Sequence, residues 1–171
     1  MIMGIRETRL ENDFNEVSQL IANSGGTIAL ISSQGKPAYE YVIEYRCKGI
    51  ERLQGNDPVF RTNHRVKITL SNDYPKNSPS AEFLTPIFHP NVYTNQRVCL
   101  GSYWTMAENL SELVIRIGKI IQYSKDVLNL NSPANRDAKD WANRNPNRYP
   151  VDNQTFKSAK KPQAQIVWND V

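Results

Sequence analysis

Four short runs in which apolar and polar residues alternate, or in which β-branched residues cluster, follow one another between residues 26 and 84, separated by turn residues. Such runs are read as strands because side chains along a strand point alternately to opposite faces. The clearest is 39–47, which puts Tyr41, Ile43, Tyr45 and Cys47 on one face and Glu40, Val42, Glu44 and Arg46 on the other. The run 26–33 precedes it across the turn Gln34-Gly35-Lys36-Pro37. The run 65–70 sends Val66, Ile68 and Leu70 inward, and 80–84 follows a proline-punctuated loop at 74–79. Four strands in succession, joined by turns, predict an antiparallel meander.

Helical periodicity lies on either side. Leu10, Phe14, Val17 and Ile21 share a face over 8–21, Thr8 and Glu11 have the spacing of a capping box, and Ser24-Gly25-Gly26 ends the pattern. A second stripe joins Leu110, Leu113, Val114, Ile117, Ile120, Ile121, Val127 and Leu128, with Asn109 and Glu112 capping its start. Its wide apolar arc predicts the main cover of the sheet. Ser132-Pro133 reads as an N-cap followed by proline at the first helical position, opening a last helix through Trp141 that stops before Pro146. The expected class is α+β: an N-terminal helix, a four-stranded meander, a central helix across the sheet and a C-terminal helix.

A chain of 171 residues is long enough for one packed core without disulfides or structural metals. We expect one domain over 1–149 and a polar tail over 150–171 that carries Lys157, Lys160 and Lys161. No apolar run approaches the roughly 20 residues that cross a bilayer, and residues 1–12 lack the apolar region of a secretory signal. A soluble cytoplasmic protein, with no membrane partner and with Cys47 and Cys99 reduced, is therefore expected. Lys plus Arg number 21 against 17 Asp plus Glu, and the basic residues are scattered rather than striped. That argues against a nucleic-acid partner, for which steep salt-dependent binding would be the sign. No metal site and no small cofactor are indicated, and there is no glycine-rich phosphate loop.

Between Phe88 and Leu110 periodicity lapses for some twenty residues, a length more often functional than idle in a compact domain. Here Phe88-His89-Pro90-Asn91 leads, eight positions after Asn91, to Cys99, a thiol outside the regular elements. With Tyr74-Pro75, Pro79 and Phe83 before it, Trp104 after it, and 129–135 reading Asn-Leu-Asn-Ser-Pro-Ala-Asn, the order and spacing resemble the core of ubiquitin-conjugating enzymes. The resemblance covers roughly residues 8–149.

That resemblance implies the corresponding fold and a transthiolation enzyme without a cofactor. Cys99 would take the carboxy-terminal acyl group of a ubiquitin-like protein from an activating enzyme, hold it as a thioester, and pass it to a lysine of a target protein. It makes Asn91 the oxyanion donor, His89 and Pro90 braces of the loop, Ser132 a gate that orients the incoming lysine, and Asn129 part of the same loop. The residues allow plainer roles: Asn91 as a turn-ordering amide, Ser132 as the helix N-cap, Cys47 as a small core hydrophobe, Trp104 as packing. A Cys99–His89 pair of the hydrolase kind is the chemical competitor, and a catalytically silent module that binds a ubiquitin-like protein is the competing function. Lys76 stands where the family usually has an aromatic residue, and Thr105-Met106-Ala107 where it usually has Ser-Pro-Ala, so the resemblance does not extend to recognition by a standard ring-type ligase. The short interval from Cys99 to Trp104 resembles bacterial relatives encoded beside their own activating enzyme, some in antiphage defence.

Overall fold

A computed structural model describes residues 2–101 and 104–156. Helix α1 (Ile5–Ala22) is followed by six strands: β1 (Ile28–Gly35), β2 (Ala38–Tyr45), β3 (Gly49–Gln54), β4 (Asp57–Arg61), β5 (His64–Thr69) and β6 (Ser80–Phe83). Helices α2 (Leu110–Ile121) and α3 (Arg136–Arg144) come next, then a 3-10 turn at Pro146–Arg148. The order β1-β2-β5-β6, antiparallel throughout, is the meander that the alternation predicts.

The pair β3–β4 is an addition to it. Tyr45 stands opposite His64 and Gly49 opposite Arg61, so β3 and β4 carry the β2–β5 hairpin past a break and close it at Gly55-Asn56, with Gly55 at φ +64°. Glu51, Arg52, Gln54 and Asp57 make this hairpin too polar to read as a buried strand pair. Its only local sequence signal was the Gly-Asn turn.

The inward face of the sheet is closed by the helices. Tyr41, Ile43, Tyr45, Val66 and Ile68 are sealed against Leu113, Val114, Ile117 and Ile121 of α2 and Leu10 and Val17 of α1. Each such side chain contributes roughly 1.5–3 kcal/mol on burial, so this layer is the main source of stability. Glu112 accepts from the Asn109 N–H at 2.9 Å at the start of α2, as its spacing suggested. The helix ends at Ile121, earlier than the apolar stripe, because Tyr123 takes φ +54° and turns the chain; Val127 and Leu128 belong to the loop that follows.

Two capping expectations are corrected. Helix α1 begins three residues before Thr8 with Gly4 at its N-cap, and the Thr8 hydroxyl donates back to the Gly4 carbonyl at 3.1 Å. Helix α3 is capped by Asn135, whose side chain accepts from the Ala138 N–H at 3.0 Å. Ser132 is held out of that position because its N–H donates to Asn129 Oδ1. The Ala134 and Asn135 N–H groups meanwhile donate to the Pro90 carbonyl. Helix α3 buries Trp141 beside Ile50 and Tyr123 in a second apolar cluster.

The expected division after 149 falls within packed chain. Phe156 is 1% exposed and lies edge-on to Tyr45. Its ring occupies the space that a Cβ on Gly118 would need. The remainder of the tail, with Lys157, Lys160 and Lys161, lies outside the described residues.

A buried polar hub ties α1 to the rest. Asp13, 1% exposed, accepts from Arg9 at 2.8 Å, from the Tyr74 hydroxyl at 2.5 Å and from the Leu110 N–H at 3.2 Å. Arg9 also donates to the carbonyls of Met106 and Glu108, so one ion pair fixes both the 74–75 loop and the approach to α2. Removing a partner from such a pair strands the rest. Asp13→Ala is expected to cost about 3 kcal/mol and Tyr74→Phe about 1 kcal/mol, read from urea unfolding. An Asp13→Ala variant within about 0.5 kcal/mol of wild type would contradict this role for the hub.

Candidate functional site

The segment after Phe88 is not wholly irregular. Val92 bridges Val98, the Cys99 N–H donates to the Asn91 carbonyl at 2.8 Å and the Tyr93 N–H to that of Arg97 at 2.9 Å. The turn of this small ribbon is reached through Gln96 at φ +72°. Val92 and Val98 are buried at 1% and 8% exposure. Alternation therefore places Asn91, Tyr93, Arg97 and Cys99 together on the other face.

His89, Pro90 and Asn91 staple this ribbon to the loop between α2 and α3. His89 Nδ1 accepts from the Asn91 N–H at 2.9 Å, while the ring is fully buried with Tyr123 edge-on at 4.4 Å. The ring proton is thereby placed on Nε2, and burial pulls the imidazole down to about 3. A sealed, neutral His89 whose Nδ1 is occupied has no means of acting as base toward Cys99, which removes the hydrolase-like pair. The Asn91 side chain donates through Nδ2 to the Val127 carbonyl at 2.7 Å and accepts at Oδ1 from the Asn129 N–H at 3.0 Å. The turn-ordering role is therefore present. One Nδ2 hydrogen makes no further bond among the described residues.

Asn129 in turn spans Ser132, accepting from its N–H and donating to its carbonyl, both at 3.0 Å. Ser132 is exposed and borders the loop without lining the space beside Cys99. The neighbouring Asn129 and Asn131 do line it.

Cys99 is half-buried between two clefts. One, of about 370 Å³, is lined by Asn91, Arg116, Asp126, Asn129 and Asn131. The other, of about 350 Å³, is lined by Ser78, Ser80, Tyr93 and Arg97. A larger cavity of about 730 Å³ lies between the end of α2 and residues 146–156 and has no cysteine in its wall. Cys47, unlike Cys99, is closed to solvent: it is 1% exposed, and burial pushes its thiol up to about 12. Trp104 donates to the Pro75 carbonyl at 3.0 Å and packs on Tyr74, as a packing residue does. Sequence reasoning missed Tyr93, Arg116 and Asp126, because only the ribbon register, α2 and the loop after it bring them to the clefts that Cys99 lines. Among the described residues no three His, Cys, Asp or Glu side chains gather as a metal ligand set, and no helix is long and apolar enough to cross a membrane.

The profile of the family described as "Ubiquitin-conjugating enzyme" matches residues 53–156. Over 38 residues the chain is 55% identical to "Ubiquitin-conjugating enzyme E2 S" of Drosophila grimshawi and to that of Drosophila virilis, a stretch amounting to 22% of this chain and 18% of each relative. The chain thus spans less than a fifth of those relatives' length. The crystal structure of ubiquitin conjugating enzyme E2 UbcA1 from Agrocybe aegerita resembles it with a TM-score of 0.52 at 18% identity, covering 70% of this chain and 83% of that one. This likeness shows the shared α+β fold.

The two histidines, His89 in the site and His64 on β5, give the fold a signature in pH. Burial also lowers His64, to about 4, so both rings are neutral in the fold where an unfolded histidine would protonate near 6.5. Below 6.5 the unfolded chain takes up protons that the fold refuses, and stability present above that pH is lost as pH falls toward about 4. Urea unfolding between pH 7 and pH 5 is expected to show a loss of roughly 2 kcal/mol per histidine, with His64→Gln removing about half. A flat profile in that window would contradict a buried, neutral His89.

Proposed function

The chain belongs to the ubiquitin-conjugating enzyme family, and from that premise we propose that Cys99 carries a ubiquitin-like protein as a thioester and delivers it to a lysine. The observation that carries this reading is the position of Cys99, a half-exposed thiol open to a cleft on each side and held at fixed register against Asn91. In the first step the Cys99 thiolate attacks the thioester carbonyl presented by an activating enzyme, forms a new C–S bond and expels that enzyme's thiolate. In the second a lysine amine attacks the same carbonyl carbon, loses a proton, and Cys99 departs as thiolate. Splitting one acyl transfer in two suits sulfur, a strong nucleophile and a good leaving group.

In this reading Asn91 has two tasks. Its bonds to Val127 and Asn129 hold one wall of the cleft, and its remaining amide hydrogen is the donor for the oxyanion that forms when the amine attacks. His89 and Pro90 brace the ribbon. Ser132 orients the lysine from the rim, and serine's weak basicity favours orientation over proton abstraction. Lys76, and Thr105-Met106-Ala107 after Trp104, argue against recognition by a standard ring-type ligase. The short interval between Cys99 and Trp104 supports membership of a bacterial conjugation pathway, with antiphage defence as one setting. The free cysteines suit the cytoplasm.

The test mixes the full chain with a candidate activating enzyme, its ubiquitin-like protein and ATP, and compares reducing with non-reducing gels. Wild type is expected to form a reductant-sensitive adduct, Cys99→Ser a reductant-resistant one and Cys99→Ala none. Discharge to lysine in Asn91→Ala is expected to slow by about 10²–10³. No wild-type adduct with an activating enzyme proven active would instead favour a silent module that binds a ubiquitin-like protein.

A further inference from the structure

We propose that the cavity of about 730 Å³ at the end of α2 is the docking site of this chain's own segment Ile166-Val167-Trp168. The proposal goes beyond the conjugating chemistry and does not depend on the role of Cys99.

The cavity has an apolar lining and walls that are already fixed. Ile115, Tyr123, Tyr149, Val151 and Phe156 line it, and Val151 is 62% exposed there. A hollow of this size accepts a bulky apolar group. The Gln154 N–H donates to Gln122 Oε1 at 2.9 Å, and Gln122 Nε2 returns a bond to the Gln154 carbonyl at 3.2 Å. Asp152, the carboxylate in the wall, accepts from the Lys48 N–H at 2.8 Å. Residues 152–156 are thereby pinned to α2 and to the start of β3, and a preformed wall costs little to order when it is filled.

The path of the chain selects the occupant. The described residues end at Phe156, which is itself part of the wall. A polar spacer, 157–165, follows, and then Ile166-Val167-Trp168. Nine residues reach at most about 30 Å, ample for a return to a wall the chain has just left. So short a tether holds the segment at a local concentration on the order of millimolar, which favours it over a free peptide of the same composition. Charge agrees. Lys119 and Lys125 border the cavity; Lys119 pairs with Asp126 at 2.6 Å, whereas Lys125 makes no ion pair among the described residues. Asp170 stands two positions after Trp168 and is the counter-charge that Lys125 lacks.

Fluorine NMR of the full chain labelled with fluorotryptophan tests this. Trp104, Trp141 and Trp168 give one resonance each, and that of Trp168 is assigned by its loss in Trp168→Phe. In wild type the Trp168 resonance is expected to lie away from its position in urea, to lose its shift between light and heavy water, and to stay in place on dilution. Val151→Asp, at an exposed wall position, is expected to return it to the urea position with the full solvent shift. Leu84→Asp, a similarly exposed site beside β6, is expected to leave it in place, and an unmoved Trp141 resonance reports an intact fold in both variants. A wild-type Trp168 resonance already at its urea position, or one that Val151→Asp does not move, would overturn the proposal. A displacement that vanishes on dilution would also overturn it, assigning the cavity to the tail of a second copy. None of these readouts involves loading of Cys99, so failure of the carrier reading leaves them unchanged.

Discussion

A segment without regular secondary structure can lie against a core only if its backbone groups find partners. Asn91 solves this for the whole site. Through one residue pass four hydrogen bonds, to His89, Cys99, Val127 and Asn129, so the thiol, the brace and the far wall of the cleft share one anchor. An uncharged amide suits the task, because it donates to one carbonyl and accepts from one N–H at the same time. The Pro90 carbonyl extends the anchor to the start of α3.

The rest of the molecule keeps that anchor still. Behind the ribbon, His89 and Tyr123 fill the space under the loop, and Tyr123 is also where α2 stops. On the other side the Asp13 hub joins α1 to Tyr74 and Leu110, while the Trp104 indole binds the Pro75 carbonyl. The chain from Trp104 to Leu110 is therefore held at both ends by groups remote in sequence. Reactivity is confined in the same way: one cysteine is placed between clefts and the other is buried with its proton retained.

What was legible in the sequence followed from periodicity and from motif order. Alternation over 39–47 identified the inward face of β2, and the stripe from Leu110 identified α2, because burial on one face is a strictly local pattern. The spacing of His89, Pro90, Asn91 and Cys99 pointed to one loop system. Long-range partners were not legible. Asp13 carries no local signal of its burial, because the Tyr74 hydroxyl that donates to it lies 61 positions away. Ser132 looked like an N-cap because Pro133 follows, yet Asn129 and Pro90 hold that turn and leave Asn135 to cap the helix. The β3–β4 hairpin was hidden by its charged surface, and Tyr93 by a ribbon register that no periodicity announces.

The chain has the fold and the profile of the ubiquitin-conjugating enzyme family, and the proposed chemistry turns on whether Cys99 is where the acyl group rests. The most direct measurement is site-resolved mass spectrometry of the wild-type chain after brief loading with an active activating enzyme, a ubiquitin-like protein and ATP. The expected result is one acyl group on the peptide containing Cys99, with Cys47 unmodified, released by neutral hydroxylamine. An acyl group found only on lysine in Cys99→Ala as readily as in wild type, or an unmodified Cys99 under conditions in which the activating enzyme itself is charged, would contradict it.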